Sequence, residues 1–438
     1  MLRIQSFGGW PVLARMLKNR IGRIGLLCLI GLISSALTRA DDAPSKGWPQ
    51  FLGPDRTGVS TETGLITKWP ANGPREVWRV PGGVGMSAVV VQGGKAITLV
   101  QKQGRQWALC LDAETGQPLW ETDLAPMYRN QMGDGPRATP TITDGTVFVH
   151  TGEGILAALN LKDGNLLWQL NLIEKLDAEI ADYGMTSSPL VVGGRVIVTV
   201  GAPSATVAAV DIKTGEIAWT AGEGHPAGYS SAAVRKVGGR EQIVVFHGNG
   251  AFGLDPKTGA ELWGHDYVTD FNCNIATPIA VDDGVLLSAG ENHGSVLLGL
   301  TPKGDGFDVA PRWSSLGSKS TLRNEWQTSV QVGDALFGFD NVGSAGPVTH
   351  LCCVNPKTGE RNWQELRFGK GNLIAADGKL FIVTMQGELV VVKADPRKFT
   401  VLGRKAVVEK TRQAPALADG RLFIRDDKDI VCVDVRQK

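Results

Sequence analysis

Several things are scarce in this chain, and each scarcity removes a class of function. Basic and acidic residues almost cancel, 45 Lys and Arg against 44 Asp and Glu for a formal net charge of +1. Such a balance offers no electrostatic pull toward nucleic acid or an anionic membrane. No apolar run approaches the roughly 20 residues that a membrane-spanning helix needs. The run IGLLCLIGLI, from Ile24 to Ile33, is half that length. Beyond it there is no helical periodicity of useful extent. Cysteine is limited to 6 in 438 residues. No two form a CxxC pair, so neither zinc nor thioredoxin-like chemistry is indicated, and no CxxCH is present to attach a haem.

Glycine and tryptophan are abundant, 56 and 12, a pairing that speaks for many tight turns. Length alone would suggest two or three domains, unless the chain repeats. At the N-terminus Arg20 and Arg23 precede the apolar run, and the small residues of SSALTRA follow it. That order is a secretory signal peptide, residues 1–40, with cleavage expected near Ala40–Asp41 and Met16 as an alternative start to Met1. A lipobox wants a small residue before the cysteine, but Leu27 precedes Cys28. The expectation is therefore an exported, monomeric protein, periplasmic or in the cell envelope, without a lipid.

One decapeptide recurs. LDAETGQPLW ends at Trp120, LNLKDGNLLW at Trp168, VDIKTGEIAW at Trp219, LDPKTGAELW at Trp263 and VNPKTGERNW at Trp363. A stretched copy ends at Trp313, and two worn copies follow around Asp395 and Asp434. The turn-opening residues are Asp112, Asn160, Asp211, Asp255, Thr301, Asn355, Lys393 and Asp434, spaced by 48, 51, 44, 46, 54, 38 and 41 residues. Asp or Asn opens a turn by accepting a backbone N–H two residues on, and Pro256, Pro302 and Pro356 preset φ for a type I turn. Gly116, Gly164, Gly215, Gly259 and Gly359 suit the left-handed position of such a hairpin. The Trp that follows would wedge between sheets, which is worth a few kcal/mol for each buried ring.

Before each turn come a strand, an Asp-Gly or Gly-Gly turn, a second strand, a Gly-rich loop and a third strand; the Trp strand is the fourth. Four antiparallel strands per unit of about 45 residues make a propeller blade. Eight copies predict an all-β, eight-bladed β-propeller over residues 75–438. The last copy lacks a Trp strand, and REVWRV carries Trp78 with no blade before it. Trp78 is therefore expected to complete the eighth blade and close the ring, leaving residues 41–74 as an extension along it.

The D-x-x-T-G-x-x-x-W copies resemble the tryptophan-docking repeats of pyrroloquinoline-quinone (PQQ) type propellers. That family includes quinoprotein alcohol dehydrogenases and the non-catalytic outer-membrane assembly lipoprotein BamB. The opening WPQFLGPDRTGVS is similar to the start of many exported PQQ-repeat proteins. In the dehydrogenases a ring of adjacent cysteines lies over the cofactor, and Cys352–Cys353 raises the same question here. The repeat answers it: Cys110, Cys353 and Cys432 occupy one small-residue site on the third strand, and neighbours on a strand point to opposite faces. Plain core packing is expected, and Cys273 completes the five mature-chain cysteines.

Blade geometry places the long links between blades on one face, with the loops between second and third strands, and loops carry function more often than scaffold. Arg323, Glu325 and Trp326 enter the sixth blade there, offering a cation, an acid and a stacking ring. Asp270, Asn272 and Asn274 enter the fifth with oxygens that suit calcium. His225, His247 and His293 lie on loops of the fourth and fifth blades without metal spacing. The first expectation is a non-catalytic, BamB-like scaffold that binds an envelope or extracellular protein or polymer. Implied by the resemblance as an alternative is a PQQ- and calcium-dependent dehydrogenase, with Asp270 or Glu325 as catalytic candidates and Asn272, Asn274, Arg323 and Trp326 toward the cofactor. A third reading is a carbohydrate- or polymer-binding disc with Trp326 and Tyr183 as stacking platforms. No resident metal is expected.

Overall fold

The computed structural model of the protein describes residues 47–343, 346 and 348–437. The expected signal peptide and Cys28 lie outside them. Thirty-two strands form eight four-stranded antiparallel sheets. Seven of the sheets are sequential, from Val90–Gln92 through Pro118–Pro126 in the first to Gly371–Ala376 through Val401–Ala406 in the seventh. The eighth takes Ala416–Ala418, Arg421–Arg425 and Asp429–Asp434 from the C-terminal end and Arg75–Pro81 from the N-terminal side. Trp78 stands opposite Cys432 in that pairing. The ring closes as expected, and no blade is left with an unpaired fourth position.

One irregularity recurs in every blade. Beside the tryptophan, the fourth strand carries one more residue than its partner: Cys110 pairs Trp120 but Leu111 pairs Pro118, and Ala158 pairs Trp168 but Leu159 pairs Leu166. Such a bulge bends the strand locally. It explains the constant spacing from the turn glycine to Trp, because the extra residue swings the indole out of its own sheet toward the next blade. The indole then needs a small partner across the strand. Cys110, Ala158, Ala209, Gly253, Cys353 and Cys432 face Trp120, Trp168, Trp219, Trp263, Trp363 and Trp78.

The glycines have a second task beyond their left-handed φ of 74–76°. A Cβ on Gly116, Gly164, Gly215, Gly259 or Gly359 would stand 2.5–2.8 Å from the ring of Trp78, Trp120, Trp168, Trp219 or Trp313. Each glycine is thus the floor on which the preceding blade's indole lies. The indole N–H usually donates to the backbone just after the turn-opening residue, as Trp120 Nε1 does to Leu161 O at 3.1 Å and Trp168 Nε1 to Ile212 O at 2.9 Å.

Three junctions depart from the expected repeat, and at one of them no glycine of the described residues meets Trp363, whose N–H still donates to Asp395 O at 2.9 Å. The fifth blade replaces the tight turn by the long hairpin Gly294–Lys303 and Gly306–Leu316, so no glycine floor meets Trp263. Its N–H turns back to Gln242 Oε1 in its own blade, 2.6 Å away. The long hairpin also shifts the register, and Leu297 rather than Gly299 faces Trp313. In the seventh blade the Trp position is Gly403, and the ring of Trp69 occupies the space over it. The segment before the first strand therefore supplies the missing indole.

That segment does more than lie along the ring. Trp48 exchanges backbone hydrogen bonds with Val91 of the first blade. Gly58 and Ser60 bond Ala375 of the seventh, and Gly64 and Ile66 bond Gln437 and Val435 at the C-terminal end. Between these anchors Arg56 is 1% exposed. Its guanidinium donates to the carbonyls of Ser188, Pro189 and Ala232. Arg235 donates in turn to Arg56 O at 2.7 Å.

All five cysteines in the described residues are free thiols. Cys352 packs with Leu286 and Leu336, while Cys353 packs with Phe337 and Leu373 in a different core cluster. The two point to opposite faces of one strand, as the alternation requires. Burial pushes both thiols up, to about 12 and about 11.

Candidate functional site

The inner strands start on the face that carries the blade-to-blade links, and the residues just before them surround the axis. Four of these are hydroxyls joined across blades. Ala88 N–H donates to Thr139 Oγ1 (3.1 Å), Thr139 N–H to Ser188 Oγ (3.0 Å), Ser188 N–H to Ser231 Oγ (2.9 Å) and Thr277 N–H to Thr328 Oγ1 (3.0 Å). Each hydroxyl oxygen thereby fixes its neighbour, and backbone polar groups at the axis are satisfied without a continuous sheet.

Above this hydroxyl ring lies a cavity of about 520 Å³. Phe51 and Leu52 of the N-terminal segment line it beside Thr139, Ser188, Ser231 and Thr328. The aromatic rings of Tyr183, Tyr229, Phe271 and Trp326 and the thioethers of Met86, Met132 and Met385 form much of the remaining lining. The charged lining residues are Arg137, Glu291, Glu325, Lys370 and Arg412.

The sequence candidates divide. Glu325 and Trp326 line the cavity, and so does Tyr183. Lys370 Nζ holds Glu325 at 2.6 Å; burial raises this carboxyl while the lysine opposes the rise. Arg323 does not reach the cavity. Its side chain is buried in a two-bonded ion pair with Asp340, at 2.6 and 2.8 Å, and Asp340 also meets Arg361. Asn274 is fully buried, and its amide nitrogen donates to His247 O and Tyr267 O while its oxygen accepts from Thr269. Asp270 and Asn272 form a short 3₁₀ turn around Phe271. Asp270 lies 3.7 Å from His293, away from Asn274's bonded network. His225 and His247 do stack, with ring centres 4.2 Å apart, and burial together with His225 holds His247 down at about 3.

Cavity residues that sequence reasoning missed include Met86, Arg137, Tyr229, Cys273 and Arg412. The signal available was position: the hydroxyl ring occupies the same place at the head of successive inner strands. Arg137 donates to the carbonyls of Gly133, Gly135 and Tyr183 and stacks on Tyr128, 4.7 Å from the ring centre. Cys273 is half-buried, its thiol pushed up to about 11 by burial and nearby carboxylates.

The donor set does not fit a calcium-held cofactor. Calcium takes several converging oxygens, and among the described residues no group of three His, Cys, Asp or Glu is placed to hold a metal. Of the cavity's two carboxylates, Glu325 is already paired with Lys370.

Eight blades around an axial cavity, five of their junctions docked Trp-on-Gly, define a PQQ-repeat propeller. A family model described as outer membrane protein assembly factor BamB matches residues 62–180, 176–302 and 348–436. The chain belongs to that family. It is similar to BamB of Yersinia pestis, 28% identical over 198 residues that cover 43% of this chain and 47% of that protein. It is also similar to a quinohemoprotein alcohol dehydrogenase of Pseudomonas putida, 29% identical over 159 residues, or 34% of this chain and 22% of the enzyme. The solved BamB of Moraxella catarrhalis superposes with a TM-score of 0.57 at 16% identity, covering 83% of this chain and 98% of that one. The aligned stretch thus spans about half the Yersinia protein, and the structural likeness speaks for the fold alone.

Proposed function

We propose that this protein is a non-catalytic scaffold of the cell envelope that docks a protein of outer-membrane assembly through its link-bearing face. One observation carries the reading. Of the large apolar side chains left exposed, Met127, Met132, Ile180, Val268, Leu316 and Leu366 sit on or at the ends of blade-to-blade links, at 40–67% exposure. Phe271 is with them. Exposed apolar groups gathered on one face mark an interaction surface. The tight turns opposite are mostly Asp, Gly, Thr and Lys, and the other exposed leucines, Leu119, Leu166 and Leu167, begin the outer strands of two blades beside them. Export by residues 1–40, a propeller from residue 75 onward, and Glu325 and Trp326 as contact residues belong to the same proposal. No helix of the described residues is long and apolar enough to cross a membrane.

The test is affinity capture from envelope extract, with the partner identified and then purified. Val268→Lys, Leu316→Lys and Leu366→Lys together should weaken binding at least about tenfold, because charges would be buried at the interface. Equal binding by this variant, with loss only on substitution of the short-turn face, would reverse the assignment of the face.

A further inference from the structure

Three histidines each accept a backbone N–H on one ring nitrogen: His247 from Asn249 at 3.3 Å, His293 from Asp270 at 3.3 Å and His350 from Arg367 at 2.9 Å. A backbone N–H only donates, so each of these nitrogens is bare, and a proton taken up there removes the bond. The three differ in what surrounds them. Burial, and then His225, holds His247 down at about 3, so mild acid leaves it neutral. His293 has Asp270 Oδ2 at 3.7 Å, so an imidazolium there exchanges one partner for another and the link stays tethered. His350 is placed otherwise.

His350 lies on the strand Val348–Val354 of the sixth blade. Arg361 on the outer strand, Arg323 on the incoming link and Arg367 on the outgoing turn surround it with positive charge. Asp340, opposite it on the neighbouring strand, supplies a carboxylate already shared by Arg323 and Arg361. Glu365 pairs with Leu351 and so faces the other side of the sheet. Burial holds the His350 imidazole below its ordinary value; Asp340 opposes this, and the three arginines add to it. A protonated ring loses its N–H donor and meets three guanidinium groups.

The bond at stake holds a strained turn. Arg367 has φ 54°, in the left-handed region that residues other than glycine enter at a cost. Such a conformation persists while its surroundings over-determine it. Here they are His350 and the 3.2 Å bond from Gly369 N–H to Thr349 O. Lys370 closes the turn, with Nζ 2.6 Å from Glu325. Beside Arg367 stands Leu366, at 67% the most exposed of the apolar side chains assigned to docking.

We infer that His350 is a proton switch for docking: neutral, it holds residues 366–370 and presents Leu366 to the partner; protonated, it lets the turn go and the partner with it. This rests on the docking face proposed above and adds its regulation. Because the folded value is depressed, the bond's contribution is whole above about pH 6.5 and is lost as pH falls.

Hydrogen exchange of the folded protein reads the switch without a partner. Corrected for the intrinsic pH dependence of exchange, protection of residues 366–370 should fall about five- to tenfold from pH 7.5 to 5.5, the scale of one linked proton. The tight turn at residues 355–360 should keep its protection. His350→Asn offers Oδ1 to the same N–H and takes up no proton there, so its turn should be equally protected at both pH values. Unchanged protection in the wild-type chain, or an equal loss in His350→Asn, overturns the inference. If His350→Asn does not fold, the Cε1–H resonance of His350 decides: its titration must coincide with the loss of protection, and loss while the ring is still neutral overturns it. The partner purified after envelope capture should bind about two- to tenfold more weakly at pH 5.5 than at 7.5, and equally at both to His350→Asn. Exchange that responds while binding does not overturns the control of docking. The Val268, Leu316 and Leu366 substitutions test the face itself, and so tell that failure from loss of the face.

Discussion

The junction between the first and second blades and the junction after the seventh solve one packing problem with different parts of the chain. At the first, Trp120 comes from the adjacent blade, lies on Gly164 and donates to Leu161 O. At the other, the strand offers Gly403, and the ring arrives as Trp69 from the opposite end of the sequence. The fourth and fifth blades show a third solution, in which Trp263 stays buried between sheets but bonds its own blade's Gln242. What the ring requires is an apolar plate in each wedge; neither the source of the plate nor its N–H partner is obligatory.

Substitutions can break this comparison. Trp120→Ala should cost most, about 3–5 kcal/mol as for other buried Trp truncations, read by urea denaturation. A loss under 1 kcal/mol would mean that the wedge is held by the strands alone.

Next is the inner half of a junction. His150 Nδ1 meets Ser187 O at 3.0 Å between the second and third blades, and burial holds the imidazole down at about 4. The folded state therefore keeps it neutral, whereas the unfolded chain takes up a proton near pH 6.5. This contribution is whole above pH 6.5 and is lost as pH falls toward 4, about 3 kcal/mol in all. Unfolding free energies measured across that window should show the slope, and His150→Asn should flatten it.

Trp69→Ala should cost about 1–3 kcal/mol, since the ring is half-buried. The decisive experiment is rescue. With Trp69 removed, Gly403→Trp should restore at least half the loss by placing the indole on the strand where other blades carry it. The same substitution in the presence of Trp69 should destabilise, for the two rings claim one space.

The smallest effect distinguishes the ring from its hydrogen bond. Trp219 Nε1 is buried without an acceptor, whereas Trp168 Nε1 has Ile212 O. Trp168→Phe should therefore cost about 1 kcal/mol more than Trp219→Phe, the worth of one net hydrogen bond. Equal costs would show that the N–H contributes nothing to docking.

The propeller was legible because its instructions are local. A turn-opening Asp or Asn, a left-handed glycine and a tryptophan one bulged strand later all act within a dozen residues, so eight blades and the Trp78 closure could be read directly. The axial site was legible only in part. Glu325 and Trp326 line the cavity as their link suggested, whereas Arg323 and Asn274, one or two residues from candidates of equal appeal, turn into Asp340 and into backbone carbonyls. Neighbours on a link differ in direction, and direction depends on what the adjacent blade presents.

By itself, the amino-acid sequence determined the number of blades, their strand order and the way they dock, since each is repeated short-range chemistry. Only the tertiary structure decided that Trp69 serves the seventh blade, that Arg56 lies beneath the axis, and that hydroxyls from four blades face one cavity. Trp69 and Arg56 stand outside the repeat, and the hydroxyls share only its blade period. Closure of the ring brings them together, and their surroundings consist of groups that are remote until the last sheet is complete.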